Sequence, residues 1–187
     1  MGKVIVSEFV TLDGVIDSPH RWSLSYWNDT IQDIKRDELF AADALLLGRV
    51  TYEGFAAAWP GRKGSNAYAD RMNDMPKYVA SRTMRDATWS GTSVMADTVG
   101  EVRAHKVKVN GDLLVFGSNQ LAVSLAKARL VDEVRLLSYP TIVGEGLRLF
   151  QGGDVRLELI ESRALSNGAF FLRYRPAAPV AADGNAA

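Results

Sequence analysis

Short, nearly unbroken apolar runs alternate along the first two thirds of this chain with stretches in which apolar residues recur at helical spacing. Residues 4–10 are rich in β-branched types and lead to Asp13-Gly14, the pattern of a buried strand and its turn. Runs at 44–47, 77–81 and 112–116 read as further buried strands, with weaker strand signals at Thr88-Trp89 and at 93–95. Between them, 29–42 carries Ile31, Ile34, Leu39 and Phe40 at helical spacing, and 51–58 is a short helix stopped by Trp59-Pro60-Gly61. Residues 67–75, 98–108 and 119–128 are the remaining helices, the last with Leu121, Leu125 and Ala128 on one face. The final third changes character. Strands at 133–140, 156–162 and 169–175 follow one another directly, the last after an Asn167-Gly168 hairpin turn. Alternation followed by consecutive strands predicts one α/β domain over 1–176. Its sheet should be mainly parallel, flanked by helices, with antiparallel strands at the C-terminal edge. The small, polar, proline-containing tail 177–187 reads as disordered.

Composition narrows the possibilities. The 187 residues are 47% hydrophobic, enough for a substantial core. With 22 basic and 22 acidic residues the formal charge is zero, so no overall field favours nucleic acid or an anionic membrane. No cysteine is present, which removes disulfides, thiol nucleophiles and most structural zinc sites. No apolar stretch approaches the roughly 20 residues of a membrane span. Glu8 interrupts the only early apolar run, making it a poor signal peptide. A cytoplasmic enzyme acting on a small molecule, with no metal, is the expectation.

The chemistry concentrates at three strand ends. The run 44–47 stops at Gly48, where the backbone can turn sharply and approach a ligand, and a helix begins just after it. Arg49 and Thr51 add a guanidinium and a hydroxyl there. Ser81-Arg82-Thr83 and Gly117-Ser118-Asn119 place similar polar groups after two other strands. Together they suggest a phosphate-rich cofactor across the sheet edge, and two arginines favour a terminal phosphate over a hydroxyl. Plainer readings exist for each: a surface arginine at 49, turn capping by Ser81 and Thr83, an ordinary strand-to-helix turn at Gly117. The loop before the first long helix holds Trp22, Tyr26 and Trp27, either core packing or a platform for a flat ligand.

These segments, in this order, resemble the dihydrofolate reductase-like superfamily, and within it the reductase domain of bacterial riboflavin biosynthesis. The resemblance rests on Phe9-Val10-Thr11-Leu12-Asp13-Gly14-Val15-Ile16, Leu46-Leu47-Gly48-Arg49-Val50-Thr51-Tyr52, Lys77-Tyr78-Val79-Ala80-Ser81-Arg82-Thr83, Leu114-Val115-Phe116-Gly117-Ser118, and Pro140-Thr141-Ile142-Val143-Gly144-Glu145-Gly146 with Phe150. It implies NADPH at the carboxyl ends of the parallel strands. On this likeness Gly48, Arg49 and Thr51 hold phosphates, while Ser81, Arg82 and Thr83 cradle the adenine ribose and its 2′-phosphate. Gly117 and Ser118 form the close-approach turn, where the family often has two glycines. Val10 and Ile16 border the nicotinamide. In dihydrofolate reductases a first-helix carboxylate orients the substrate, which here points to Gln32 or Asp33, the plainer reading being that Asp29, Asp33 and Asp37 form one solvated stripe. The same likeness implies Asp13 as a second catalytic or substrate-binding carboxylate, the plainer reading being simple Asp-Gly turn chemistry, and Trp27 as a substrate contact. The implied activity is hydride transfer to a small heterocyclic or carbonyl-type substrate, with a homodimer possible through the edge strands and 140–150. A non-catalytic nucleotide-binding dimer on the same fold is the alternative. A zinc deaminase cannot be built from His20 and His105 without cysteine. A Gly-x-Gly-x-x-Gly motif after the first strand is absent, which argues against a conventional Rossmann enzyme.

Overall fold

In a computed structural model that describes residues 2–108, 111–149 and 155–178, the strand Val4–Thr11 (β1) lies inside an eight-stranded sheet. The other elements, in chain order, are α1 (Asp29–Ala41), β2 (Ala44–Gly48), α2 (Arg49–Ala58), α3 (Ala67–Asp74), β3 (Lys77–Ala80), β4 (Thr92–Met95), α4 (Thr98–Lys108), β5 (Leu113–Phe116), α5 (Asn119–Lys127), β6 (Glu133–Tyr139), β7 (Leu157–Ala164) and β8 (Phe170–Pro176). The sheet order is β4-β3-β2-β5-β1-β6-β8-β7. Strands β4 to β6 in that order pair in parallel; β8 pairs antiparallel with both β6 and β7. The expected α/β class, with its antiparallel C-terminal edge, is what the chain forms.

Parallel strands are covered on both faces, so they need apolar residues at successive positions rather than every second one. Strands β2 and β5 meet that requirement: Ala44 to Leu47 and Leu113 to Phe116 are all buried. On one face Val4, Val6, Leu46 and Val115 pack with Val102 of α4 and Leu121, Ala122 and Leu125 of α5. On the other, Ile5, Leu45, Leu47 and Leu114 meet Leu39 of α1, Tyr52 of α2 and Met72 of α3. A third cluster joins Ile31 and Ile34 of α1 to Tyr139 and Phe171, and takes in Phe9, Trp22 and Tyr26. The rings of Trp22 and Tyr26 lie 5.5 and 5.6 Å from that of Tyr139, so these two loop aromatics are packing groups.

Two local departures have clear causes. Thr88-Trp89 forms no strand; the Trp89 N–H donates to the Tyr52 hydroxyl at 2.9 Å and its indole N–H to Asn73 Oδ1 at 2.9 Å. That buried anchoring, and not sheet pairing, uses its apolar surface. Helix α2 starts at Arg49, two residues early, because extended Gly48 is its N-cap. The β7–β8 hairpin turns at Gly168 with φ +85°, as the Asn-Gly pair predicts. Phe150 and the tail from 179 onward fall outside the described residues.

Candidate functional site

Strands β3, β2 and β5 are neighbours in the sheet and parallel, so the three polar strand ends open onto one cleft of about 1560 Å³. Gly48, Arg49, Thr51, Ser81, Arg82, Thr83, Gly117 and Ser118 all line it, as do Ile16, Trp27 and Gln32. The turns after β2 and β5 interlock. The Gly48 N–H donates to Ser118 Oγ at 2.9 Å, and that oxygen lies 2.8 Å from the Thr51 hydroxyl. A Cβ at position 48 would fall 2.7 Å from Ser118 Cβ, so only glycine fits. Gly117 and Ser118 both have positive φ, +63° and +69°, which a serine adopts at a cost of about 1–2 kcal/mol. The two contacts of its hydroxyl explain why serine is tolerated there.

Helices α2 and α5 begin at these turns, and neither has a side-chain cap. The first turns of both helices, residues 49–51 and 119–121, line the cleft, and a helix start carries the positive end of its dipole. Arg82 is exposed at the rim and makes no ion pair among the described residues. Arg49 pairs with Glu53 at 2.8 Å, both half exposed. Ser81 Oγ accepts from the Thr83 and Met84 N–H groups at 3.3 and 3.0 Å, which fixes the turn leading to Arg82.

Other expected residues lie elsewhere. Asp33 points to solvent, 54% exposed, and accepts from Arg36 at 2.6 Å. It stands off the α1 stripe of Ile31, Ile34, Lys35 and Glu38 that is buried. The Asp13 carboxylate is occupied: it accepts from the Thr11 hydroxyl at 2.6 Å and from the Gly144 and Val143 N–H groups at 2.8 and 3.3 Å. The Thr11 hydroxyl first, then the Gly144 N–H, holds its pKa down to about 2. It clamps the segment 141–149 and does not line the cleft. Val10 is buried and away from it too; because β5 ends opposite Ser7, residues 7–9 of β1 face the opening instead.

Those residues reveal what the sequence reading missed. Glu8 lines the cleft but is only 6% exposed, and its Oε1 has no hydrogen-bond partner among the described residues. Burial pushes its pKa up to about 8, against the opposing pull of the Lys35 ammonium and a hydrogen bond from the Gly117 backbone. Lys35, also buried, donates to Ser7 Oγ and Glu38 Oε2, each at 2.7 Å, and lies 4.2 Å from the centre of the Phe116 ring. The signal was present: Lys35 and Glu38 fall on the apolar stripe of α1, and Glu8 sits mid-strand among aliphatic residues. Near the loop end of the cleft, Asn167 of the hairpin turn donates to the Tyr26 carbonyl, next to Trp27 of the cleft wall.

The RibD C-terminal domain family matches residues 2–171. The chain belongs to that family. It is 25% identical over 180 residues to the uncharacterized protein YyaP of Bacillus subtilis (strain 168), covering 92% of this chain and 94% of YyaP. Among solved structures, it resembles a pyrimidine reductase-like protein from Corynebacterium diphtheriae (TM-score 0.70, 14% identity, 95% of this chain and 93% of that one). It also resembles dihydrofolate reductase from Enterococcus faecalis complexed with NADP(H) (TM-score 0.63, 18% identity, 94% and 96%). The fold of this RibD C-terminal domain is thus dihydrofolate reductase-like. Among the described residues no helix is long and apolar enough to cross a membrane, and no group of three His, Asp or Glu side chains could hold a metal ion.

Proposed function

We infer that this chain is an NADPH-dependent reductase acting on a small heterocyclic or carbonyl-type acceptor. The observation that supports this most is the meeting of three adjacent strand ends and two uncapped helix N-termini on one cleft. That donor set suits a dinucleotide. Backbone N–H groups at the starts of α2 and α5 would hold the pyrophosphate, and Thr51 and Ser118 would fix the turns beneath it. Arg82 and Thr83 would face the adenosine end, where a guanidinium fork matches a 2′-phosphate through two parallel hydrogen bonds. Arg49 can join them by leaving Glu53, since so exposed a pair is worth little. When bound, the reduced nicotinamide supplies the hydride.

The chain's own part is placement. Phe9, Ile16 and Trp27 line the end of the cleft away from Arg82 and would exclude water around a flat acceptor. The reading also expects a cytoplasmic protein, and a homodimer along the β7–β8 edge, where Leu159, Ile160 and Phe170 are exposed. Calorimetry tests the central claim: NADPH should bind at least about ten-fold more tightly than NADH, the worth of one charge-assisted contact. No heat at millimolar NADPH would overturn it.

A further inference from the structure

Glu8 is an acid that the fold buries without using. Its carboxyl stands on β1 at the point where β5 has ended, lines the cleft, and has no partner for Oε1 among the described residues. An unsatisfied buried polar atom costs about 1–3 kcal/mol, so a hydrogen-bond partner brought to Glu8 through the cleft would be stabilised there. The charged group acting on it is Lys35 of α1, with the Gly117 backbone N–H from the β5–α5 turn. Lys35 belongs to a wider buried network: it bonds Glu38, which lies 3.8 Å from Arg135 of β6, itself paired with Glu133 at 2.7 Å.

We propose that Glu8, standing at the cleft where β5 ends, is the catalytic residue that donates the proton to the acceptor's heteroatom during reduction. This rests on the reductase reading. The acceptor must then present a carbonyl oxygen or imine nitrogen toward β1, a substrate class of C=O or C=N compounds. Its carbon takes the hydride from reduced nicotinamide and its heteroatom takes the proton from the Glu8 O–H. The products are the reduced acceptor, oxidised nicotinamide and the Glu8 carboxylate, which regains a proton from water. Lys35 and the Gly117 N–H stabilise that carboxylate as it forms, and a donor titrating near working pH is the most effective kind.

Infrared difference spectroscopy on the full chain tests this, with E8Q assigning the signal. At pH 7 the wild type should show the C=O stretch of a protonated carboxyl that E8Q lacks. The band should disappear as pH rises through about 8. With NADP⁺ bound, saturating menadione, a carbonyl probe, should shift the band as the acid donates to the quinone oxygen. E8Q should keep its NADPH-induced thermal shift while menadione reduction slows by about 10²-fold, the worth of general acid catalysis. A Glu8 ionised at pH 7, or a band unmoved by menadione, would overturn the proposal. Loss of NADPH binding in the wild type would instead sink the reductase reading and leave the protonation result standing.

Discussion

Gly48 and Ser118, seventy positions apart in sequence, share one hydrogen bond of 2.9 Å that ties the turn after β2 to the turn after β5. The same hydroxyl touches Thr51 at 2.8 Å, so the two turns and the start of α2 form one unit. Ser118→Ala keeps the strained backbone and removes the acceptor. It should destabilise the protein by about 1–3 kcal/mol in urea denaturation. Ser118→Gly relieves the positive φ while losing the same bond, so its effect should be smaller by about 1 kcal/mol. If the alanine variant is as stable as the wild type, the hydroxyl is not what secures this junction.

Arg82 has no ion pair among the described residues to give up before meeting a phosphate, whereas Arg49 must leave Glu53. Arg82→Ala should therefore weaken NADPH binding by about 10–100-fold, as expected for a lost hydrogen bond to a charged group, and leave NADH nearly unchanged. Arg49→Ala should show the same sign with a smaller ratio. Titrations of both cofactors by fluorescence would decide. Equal losses for the two cofactors would remove Arg82 from 2′-phosphate recognition.

Lys35 pairs with Glu38 at 2.7 Å, both side chains being almost fully buried. Lys35→Met should destabilise by about 3–5 kcal/mol, since Glu38 then stays buried with only the more distant Arg135 as a counter-charge. Adding Glu38→Leu should recover much of the loss, because an apolar pair replaces a broken ionic one. A double variant no better than the single would show that the ammonium acts chiefly through Ser7 or Glu8.

The pH dependence of stability follows from Glu8. Its folded pKa, about 8, lies above the ordinary 4.5, so the folded state holds a proton that the unfolded chain releases between those values. Its contribution is fully present below pH 4.5 and is lost as pH rises towards 8, with a slope up to about 1.4 kcal/mol per unit. Denaturation of wild type and E8Q from pH 5 to 8 should show the variant gaining relative stability as pH increases. Parallel curves would mean that Glu8 ionises normally.

Asp13 works in the opposite direction. Its depressed pKa makes its contribution present above about 3.8 and lost as pH falls towards 2. Asp13→Ala should speed hydrogen exchange at the Val143 and Gly144 amides, which donate to its carboxylate. Cofactor affinity should be unchanged, since Asp13 is outside the cleft.

Much of this architecture could be read from the chain because parallel strands leave a strong imprint: every residue of 44–47 and 113–116 must be apolar, and Gly48 and Gly117 mark where those runs end. That the residues following these runs line one cleft was legible for the same reason, since a strand end fixes its own position in the sheet. Acidic side chains carry no such marker. Asp13 and Asp33 look equivalent to a catalytic acid in a string of letters, yet one clamps a loop and the other faces water. Glu8 and Lys35 were overlooked because their burial depends on β5 stopping opposite Ser7 and on which stripe of α1 turns inward. Trp89 shows the same limit, its β-propensity overruled by two side-chain partners.

The bond from Asn167 to the Tyr26 carbonyl ties the β7–β8 hairpin to the loop that ends in Trp27. On the reductase reading that loop would meet the acceptor while the central strand termini hold the nucleotide. Changes in the hairpin would then act on the acceptor only through that loop, at a remove from the nucleotide platform.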